Sequence, residues 1–521
     1  MAFLRKVARF IFIPAVCFLM AAGPPLQADN WQPVVEGIDY QEVILPGNTN
    51  AYVARMDRSN PDLILDTGIA QGSITGGTET VSSMAERYEG TINAWPEAWG
   101  PRNDVVVAVN GFFFDLSSGV PENGLIHSGW YVKRFNDNGN SSGLTWTVNR
   151  DLWVGGCVYH VPEEQILYYY QSHQMQYIDG INIDRLGNNL VIYTPQYGSH
   201  TPSRSGAVEM VVELYRPMTI IPWPYVVGGR IVSIERNSDG DTPIPFGHII
   251  VQAGSAHANN LVRYASVGSE IGISMEIDHR TEDCSAPNPN EYISPYASVS
   301  NSWVFLANGR IRAHEDNLGA VSEHPRTVVC YNDDYIYFVV VDGRVEGGSE
   351  GVIIATLGYF CRDDLGADWG VALDGGGSST MWVDGEVVNN PSDGHERPVA
   401  DSLMMIAVQP PEISRSYAIG DIVSVNESLN LRTGPGLNYP IIGTLDPGVE
   451  LRVLPQNNDL NGIRATGSFW WYVEIFGLRG WVAEEGLIGG IDFTPESIRE
   501  SLPDSLMLDL LQALERWYGQ N

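Results

Sequence analysis

The sequence predicts an α+β fold class: a mixed-sheet domain, then a small all-β barrel and a C-terminal helix. Three observations predict it. Between about residues 30 and 408, short β-rich runs mix with a few runs of helical spacing. At Gln409-Pro410-Pro411 regular structure must stop, and the chain resumes as short β-rich runs separated by "TGPG" and "LDPG". Near the end, Leu506, Leu510, Leu514 and Trp517 fall at i, i+4, i+8 and i+11, one face of a helix.

The chain opens on the short basic start "MAFLRKVAR", the apolar run "FIFIPAVCFLMAA" and small residues leading to "LQADN". This is the layout of a secretory signal peptide over residues 1–28, the apolar run being too short for a comfortable membrane span. Cleavage after Ala28 or nearer Ala22 both suit the pattern. Cys17 lies inside the apolar run without the surroundings of a lipidation site. No later segment has eighteen consecutive apolar residues, so a secreted or extracytoplasmic protein without a transmembrane anchor is expected.

The formal charge is −33, and residues 1–28 carry Arg5, Lys6 and Arg9 with no acid, so a cleaved chain is more acidic still. Such a charge argues against nucleic acid as a partner, because a phosphate backbone demands cations. The hydrophobic content of 44% against 18% charged residues is that of a globular protein and excludes general disorder. Beyond the leader there are four cysteines, Cys157, Cys284, Cys330 and Cys361, with no C-x-x-C spacing. Structural disulfides or buried thiols are expected rather than a zinc site.

The large domain is placed at 29–408. Its runs "VVVAVNGFFFD", "MVVEL", "IVSIE", "TVVCY" and "YIYFVVVDGR" predict strands. "GVIIATLGYFCRDDLG" has helical spacing and separates "VVVDGR" from "VALDGGG". Strand, helix, strand in that order predicts a parallel neighbouring pair joined by a crossover. Asp342 and Asp374 would then close adjacent strands at one sheet edge, where α/β folds place ligands.

A linker at 409–416 leads to the barrel at 417–488 and a helical tail at 489–521. In the barrel, Asn430-Leu431-Arg432, Gly434-Pro435, Trp471 and Gly480-Trp481-Val482 resemble the bacterial SH3-like family. The resemblance implies contact with a cell-wall or other surface polymer. Trp470, Trp471 and Trp481 are candidates for stacking on sugars, although at least one is expected in the barrel core.

Chemistry collects around the two aspartates. His324 and Arg326 lie in "EHPRT", Arg344 in "VDGR", and His395 and Arg397 in "HERPV". Arginines beside carboxylates and the bare loop Gly375-Gly376-Gly377 suit a substrate with a carbon centre to attack and a phosphate to hold. The loop lacks the GK[ST] of a nucleotide-binding P-loop, no GxSxG surrounds Ser378 or Ser379, and there is no HExxH. The sequence assigns no cofactor and no metal.

These motifs occur in order: "VAVNGFFFD", "INIDRLGNNLVIYTPQYGSHTPSRSGAVEMVVE", "HPRTVVCYNDDYIYFVVVDGR", "GVALDGGGSSTMWVDGEVVNNPS" and "RPVADSLMMI". Together they resemble the phosphodiester glycosidase family over roughly residues 100 to 408. Phe112 stands where the family often has a second glycine, and Asp401 where it usually has asparagine. The resemblance implies hydrolysis of a sugar-1-phosphodiester at the anomeric carbon. It makes Asp342, Asp374 and Glu209 candidates for base, nucleophile or oxocarbenium stabiliser, and His324 a proton carrier. Arg326, Arg344 and Arg397 become candidate phosphate contacts, with Asn110 also at the substrate. Gly375, Gly376, Gly377, Ser378, Ser379 and Thr380 would offer it N–H and hydroxyl donors. Two alternatives stay open: a hydrolase of neutral α-glycosidic bonds in exopolysaccharide or cell wall, and a non-catalytic surface glycan-binding protein.

Overall fold

The computed structural model describes residues 30–89, 102–135, 143–155, 159–160, 165–184, 187, 189–215, 227–274, 277–278, 295–345, 348–409, 414–437, 439–455 and 461–489. The expected leader, Cys157, Cys284, linker residues 410–413 and the tail from 490 lie outside the described residues.

The site is positioned by β1 (Arg102–Asn110), β2 (Arg326–Tyr331), β3 (Tyr335–Val341), α1 (Ile354–Tyr359), β4 (Trp369–Ala372) and β5 (Asp401–Gln409). β2, β3 and β4 belong to an eight-stranded sheet, with Thr49–Asp57 beyond β3 and Trp303–Ala307 beyond β4. β1 and β5 are central in a five-stranded sheet. The two sheets share a core: Val329 of β2 and Ile336, Phe338 and Val340 of β3 pack with Val107 of β1 and Leu403 and Met405 of β5. The alternate residues Val328, Cys330, Tyr337, Val339 and Val341 form a second core with Ile354 and Leu357 of α1. A strand buried on both faces has no polar alternation, which explains the unbroken "YIYFVVV".

The expected pairing of β3 with β4 requires correction. The two strands are parallel but not adjacent, because β2 runs between them antiparallel to both, with Val328 opposite Val339 on one side and Ala372 on the other. The short connection 332–334 holds β2 against β3, and Thr49–Asp57 occupies the other edge of β3. Only the far side of β2 is left for β4. Parallel pairing occurs instead between Gly180–Ile181 and Leu190–Tyr193, in a separate eight-stranded sheet centred on Ala207–Leu214.

Residues 422–489 form the barrel sheet. Trp471 packs with Val423, Leu431 and Val482, while Trp470 and Trp481 form a second cluster that Phe246 of the large domain completes. The Phe246 and Trp481 rings meet edge to face at 6.1 Å, and the Phe246 N–H donates to the Thr433 carbonyl at 3.0 Å. All three tryptophans are at most 3% exposed, so they are core residues and offer no face to a sugar. Cys330 and Cys361 are buried free thiols in contact with each other. Among the described residues, no helix is long and apolar enough to cross a membrane.

Candidate functional site

The start of β2 and the ends of β3 and β4 meet at one sheet edge, where a cavity of about 260 Å³ opens. Its lining includes Phe113, Trp303, His324, Arg326, Arg344, Arg397 and the run from Leu373 to Gly377. Asp374 is the one carboxylate in that lining among the described residues.

Strand parity decides which aspartate reaches it. Side chains alternate faces along a strand. Ala372 faces the core under α1, so Asp374, two residues on, continues the face that β2 shares through Val328 and Arg326. Asp342 follows Val341 by one residue and takes the opposite face, towards the core between the sheets. There it is 2% exposed and accepts from the Asn390 N–H at 2.9 Å, Asn390 Nδ2 at 2.8 Å and the Tyr52 hydroxyl at 3.0 Å. Asp342 is therefore a clamp on the 390 segment and does not line the cavity.

Asp374 is held by a relay. Asp393 accepts from Arg397 Nη2 at 2.7 Å, Arg397 Nη1 donates to Ser378 Oγ at 3.3 Å, and that hydroxyl donates to Asp374 Oδ2 at 2.6 Å. Burial pushes the Asp374 carboxyl above its ordinary range. The Ser378 hydroxyl, the Gly375 N–H and Arg397 oppose that push, while Glu122 adds to it.

Arg326 is 5% exposed and donates through Nε to Val352 O at 3.0 Å and through Nη2 to the carbonyls of Gly319 and Ser322 at 2.6 and 2.7 Å. Its guanidinium carbon sits 5.8 Å from the centre of the Trp303 ring. Burial and then Arg344 lower its pKa to about 10, which leaves it charged at neutral pH. Arg344 is exposed, at φ 57°, a left-handed backbone that a non-glycine residue seldom adopts; its Nη2 lies 3.4 Å from His324 Nδ1. Among the described residues, neither arginine has a carboxylate within ion-pair distance. Partial burial, then Arg326 and Arg344, hold His324 below the usual imidazole value.

The glycine loop differs from the expected row of free donors. The N–H groups of Gly376, Ser378 and Ser379 go to the carbonyls of Pro325, Gly375 and Gly376, and that of Thr380 goes to Asn110 Oδ1. What the glycines provide is room. A Cβ on Gly376 would stand 3.0 Å from Arg344 Nη1, and one on Gly377 would stand 2.0 Å from Arg397 Nη2. Ser379 and Thr380 are buried behind the loop, with hydroxyls that have no hydrogen-bond partner among the described residues.

Asn110 is fully buried and acts as a strut. Its Nδ2 donates to the Asp374 carbonyl at 2.9 Å, and its Oδ1 accepts from the Thr327 hydroxyl at 2.7 Å. Glu209 lies in the other eight-stranded sheet, outside the cavity lining, where Thr201, Ser238, Thr242 and Gln252 all donate to it. Four donors on one buried carboxylate mark a structural anchor. Phe113, Trp303 and Asp393 were not legible as site residues. Trp303 sits in a strand distant in sequence from the motifs, and no local pattern marks it. Asp393 is i−4 to Arg397, the available signal. Asp401, visible as a departure from the resembled motif, is buried beside Gly111 and accepts from the Phe112 N–H at 2.8 Å. Burial, and then the charge of Asp374, push it up to about 7.

Comparison with known proteins gives two domain matches: a phosphodiester glycosidase model over residues 225–406 and a bacterial SH3 domain model over residues 427–488. The SPbeta prophage-derived uncharacterized protein YomE of Bacillus subtilis is 32% identical over 127 residues, 24% of this chain. The chain spans 19% of the length of that relative. A hypothetical protein from Synechocystis superposes with a TM-score of 0.51 at 15% identity, covering 74% of this chain and 64% of its own, a likeness of fold. The catalytic domain of zebrafish N-acetylglucosamine-1-phosphodiester alpha-N-acetylglucosaminidase, auto-inhibited by its pro-peptide, aligns over 72% of this chain and 84% of its own at 12% identity and a TM-score of 0.35.

Proposed function

We propose that the chain hydrolyses a sugar-1-phosphodiester at the anomeric carbon, outside the cytoplasm, a reading supported by the phosphodiester glycosidase match over residues 225–406 and the bacterial SH3 match over residues 427–488. One observation carries the substrate class. In a chain with 63 acids against 30 lysines and arginines, Arg326 and Arg344 line the Asp374 cavity without a carboxylate partner among the described residues. Cations with no carboxylate partner among the described residues, in so acidic a chain, suit an anionic ligand, and guanidinium geometry matches phosphate oxygens.

The departing phosphate monoester is far less basic than an alkoxide, so it needs charge stabilisation more than a proton. Arg344 and Arg326 provide that charge. Asp374, oriented by Ser378 and Arg397, either attacks the anomeric carbon or takes the proton of an attacking water. His324, held below the usual imidazole value by partial burial and then by Arg326 and Arg344, serves as a proton carrier. The basic start and short apolar run of residues 1–28 support export. The SH3 match supports contact with a surface polymer, and Phe476 and Leu478, 98% and 57% exposed at a hairpin tip, are available for it where the buried tryptophans are not.

The test is a panel of sugar-1-phosphodiesters offered to the purified chain beside matching neutral α-glycosides. Release of free sugar and a phosphate monoester is expected from at least one phosphodiester, with loss in Arg344→Ala. Turnover of neutral glycosides alone would overturn the phosphate assignment.

A further inference from the structure

We propose that the substrate is an oligosaccharyl phosphodiester whose glycan runs from the Asp374 cavity over the hairpin at 113–122 into a second, larger cavity that takes hydroxylated, non-anionic sugar units. The proposal rests on the phosphodiester reading of the Asp374 site. The first cavity, about 260 Å³, is below the roughly 300–1,000 Å³ of ligand sites that enclose their ligand. It has room for a phosphate and the reacting ring. A neighbouring cavity of about 680 Å³ falls inside that range.

The two cavities share a wall one residue pair thick. Phe113 lines the smaller one and Asp115 and Glu122 the larger, while the Glu122 N–H donates to the Phe113 carbonyl at 3.0 Å. The wall is fixed. Phe114 bridges to Pro121, and the ammonium of Lys133, 5% exposed, donates to the carbonyls of Pro121 and Glu122. Glu122 is also among the charges that raise Asp374, so the cavities are electrostatic as well as spatial neighbours.

Their chemistries are opposed. Arginines outnumber the single carboxylate in the smaller cavity; Asp115, Glu122 and Asp184 outnumber the single cation, Lys133, in the larger, whose lining also includes Asn123 and Tyr197. Carboxylates and an amide accept hydrogen bonds from sugar hydroxyls, and an aromatic ring offers a face to sugar C–H groups. The Tyr197 ring is held by an edge contact to Tyr193 at 4.9 Å, and the Thr75 hydroxyl donates to the Tyr197 carbonyl at 2.9 Å. Three carboxylates against one ammonium, itself engaged by the Pro121 and Glu122 carbonyls, leave a net negative wall that repels a phosphate. A substrate with its phosphate at the arginines and further sugars beyond the hairpin satisfies both walls at once.

The test compares two substrates that share the scissile sugar chosen by the panel above: its monosaccharide-1-phosphodiester and the corresponding trisaccharide-1-phosphodiester. The expected kcat/KM is at least about tenfold higher for the trisaccharide. Asp184→Ala and Asn123→Ala, both at the cavity surface, should erase that advantage through KM while leaving monosaccharide turnover unchanged. Equal kcat/KM for both substrates, or variants that affect both alike, would overturn the inference and leave the reaction assignment intact. Binding of the phosphate-free trisaccharide, followed by calorimetry, separates the converse case. Binding that Asp184→Ala abolishes, without turnover of any phosphodiester, would uphold the glycan cavity and remove the reaction.

Discussion

Arg344 rests its guanidinium against Gly376, where a Cβ would stand 3.0 Å from Nη1 and 3.1 Å from Nη2. The bareness of the loop thus serves a cation that lines the cavity. Gly376 also sits at φ 64°, where a side chain costs about 1–2 kcal/mol. Gly376→Ala should therefore lower the melting temperature modestly and reduce kcat/KM towards that of Arg344→Ala. In an Arg344→Ala background the same change should cost less than about threefold more. Kinetics on all four proteins check this; strictly additive losses would show that the loop acts independently of Arg344.

Asp374→Asn should lower kcat by about 10²–10⁴, the scale of a lost acid–base group, with the melting temperature nearly unchanged. Asp342→Asn should do the reverse. An amide presents one oxygen to donors that now use both carboxylate oxygens, at a cost of about 1–3 kcal/mol, with kcat within about threefold of wild type. Chemical denaturation and steady-state rates on each variant decide the matter. An equal fall in kcat for both would return Asp342 to the reacting centre.

His324 is held below the usual imidazole value by partial burial, Arg326 and Arg344. A neighbouring cation disfavours the imidazolium, so removing one in Arg344→Gln should raise the His324 pKa. Saturating inorganic phosphate should also raise it in the wild type, because a bound anion favours the charged ring. NMR titration of the His324 ring protons reads both shifts. A pKa indifferent to phosphate would place the anion elsewhere.

Asp401 gives a stability signature of definite sign. Its folded pKa of about 7 lies above the unfolded carboxylate value, so between about pH 4 and pH 7 the folded state holds a proton that the unfolded state has lost. The stability it contributes is present at low pH and lost as pH rises through 7. Asp401→Asn keeps an acceptor for the Phe112 N–H and should remove that loss, gaining up to about 4 kcal/mol at pH 8 relative to pH 4. Urea melts of both proteins across that range test it; identical profiles would mean Asp401 titrates as an ordinary carboxylate.

The sequence by itself determined the β-rich runs and the barrel that follows them, and it marked Asp342, Asp374, the glycine loop and the arginines as residues at or near strand ends. Those are local signals: a strand-length apolar run, a turn, a residue that closes a strand. Only the tertiary structure decided which aspartate faces the cavity. Asp342 and Asp374 look alike in sequence, yet one follows its strand by a single residue and the other by two, and alternation sends them to opposite faces. Counting that parity requires the register of β3 against β4, which is transmitted through β2, a strand that the sequence order did not place between them. For the same reason Trp303 and Phe113 were not visible as cavity residues, and Glu209 was not visible as an anchor. Which side chains share a pocket is fixed by strand pairings between residues far apart in sequence, and no local pattern encodes those.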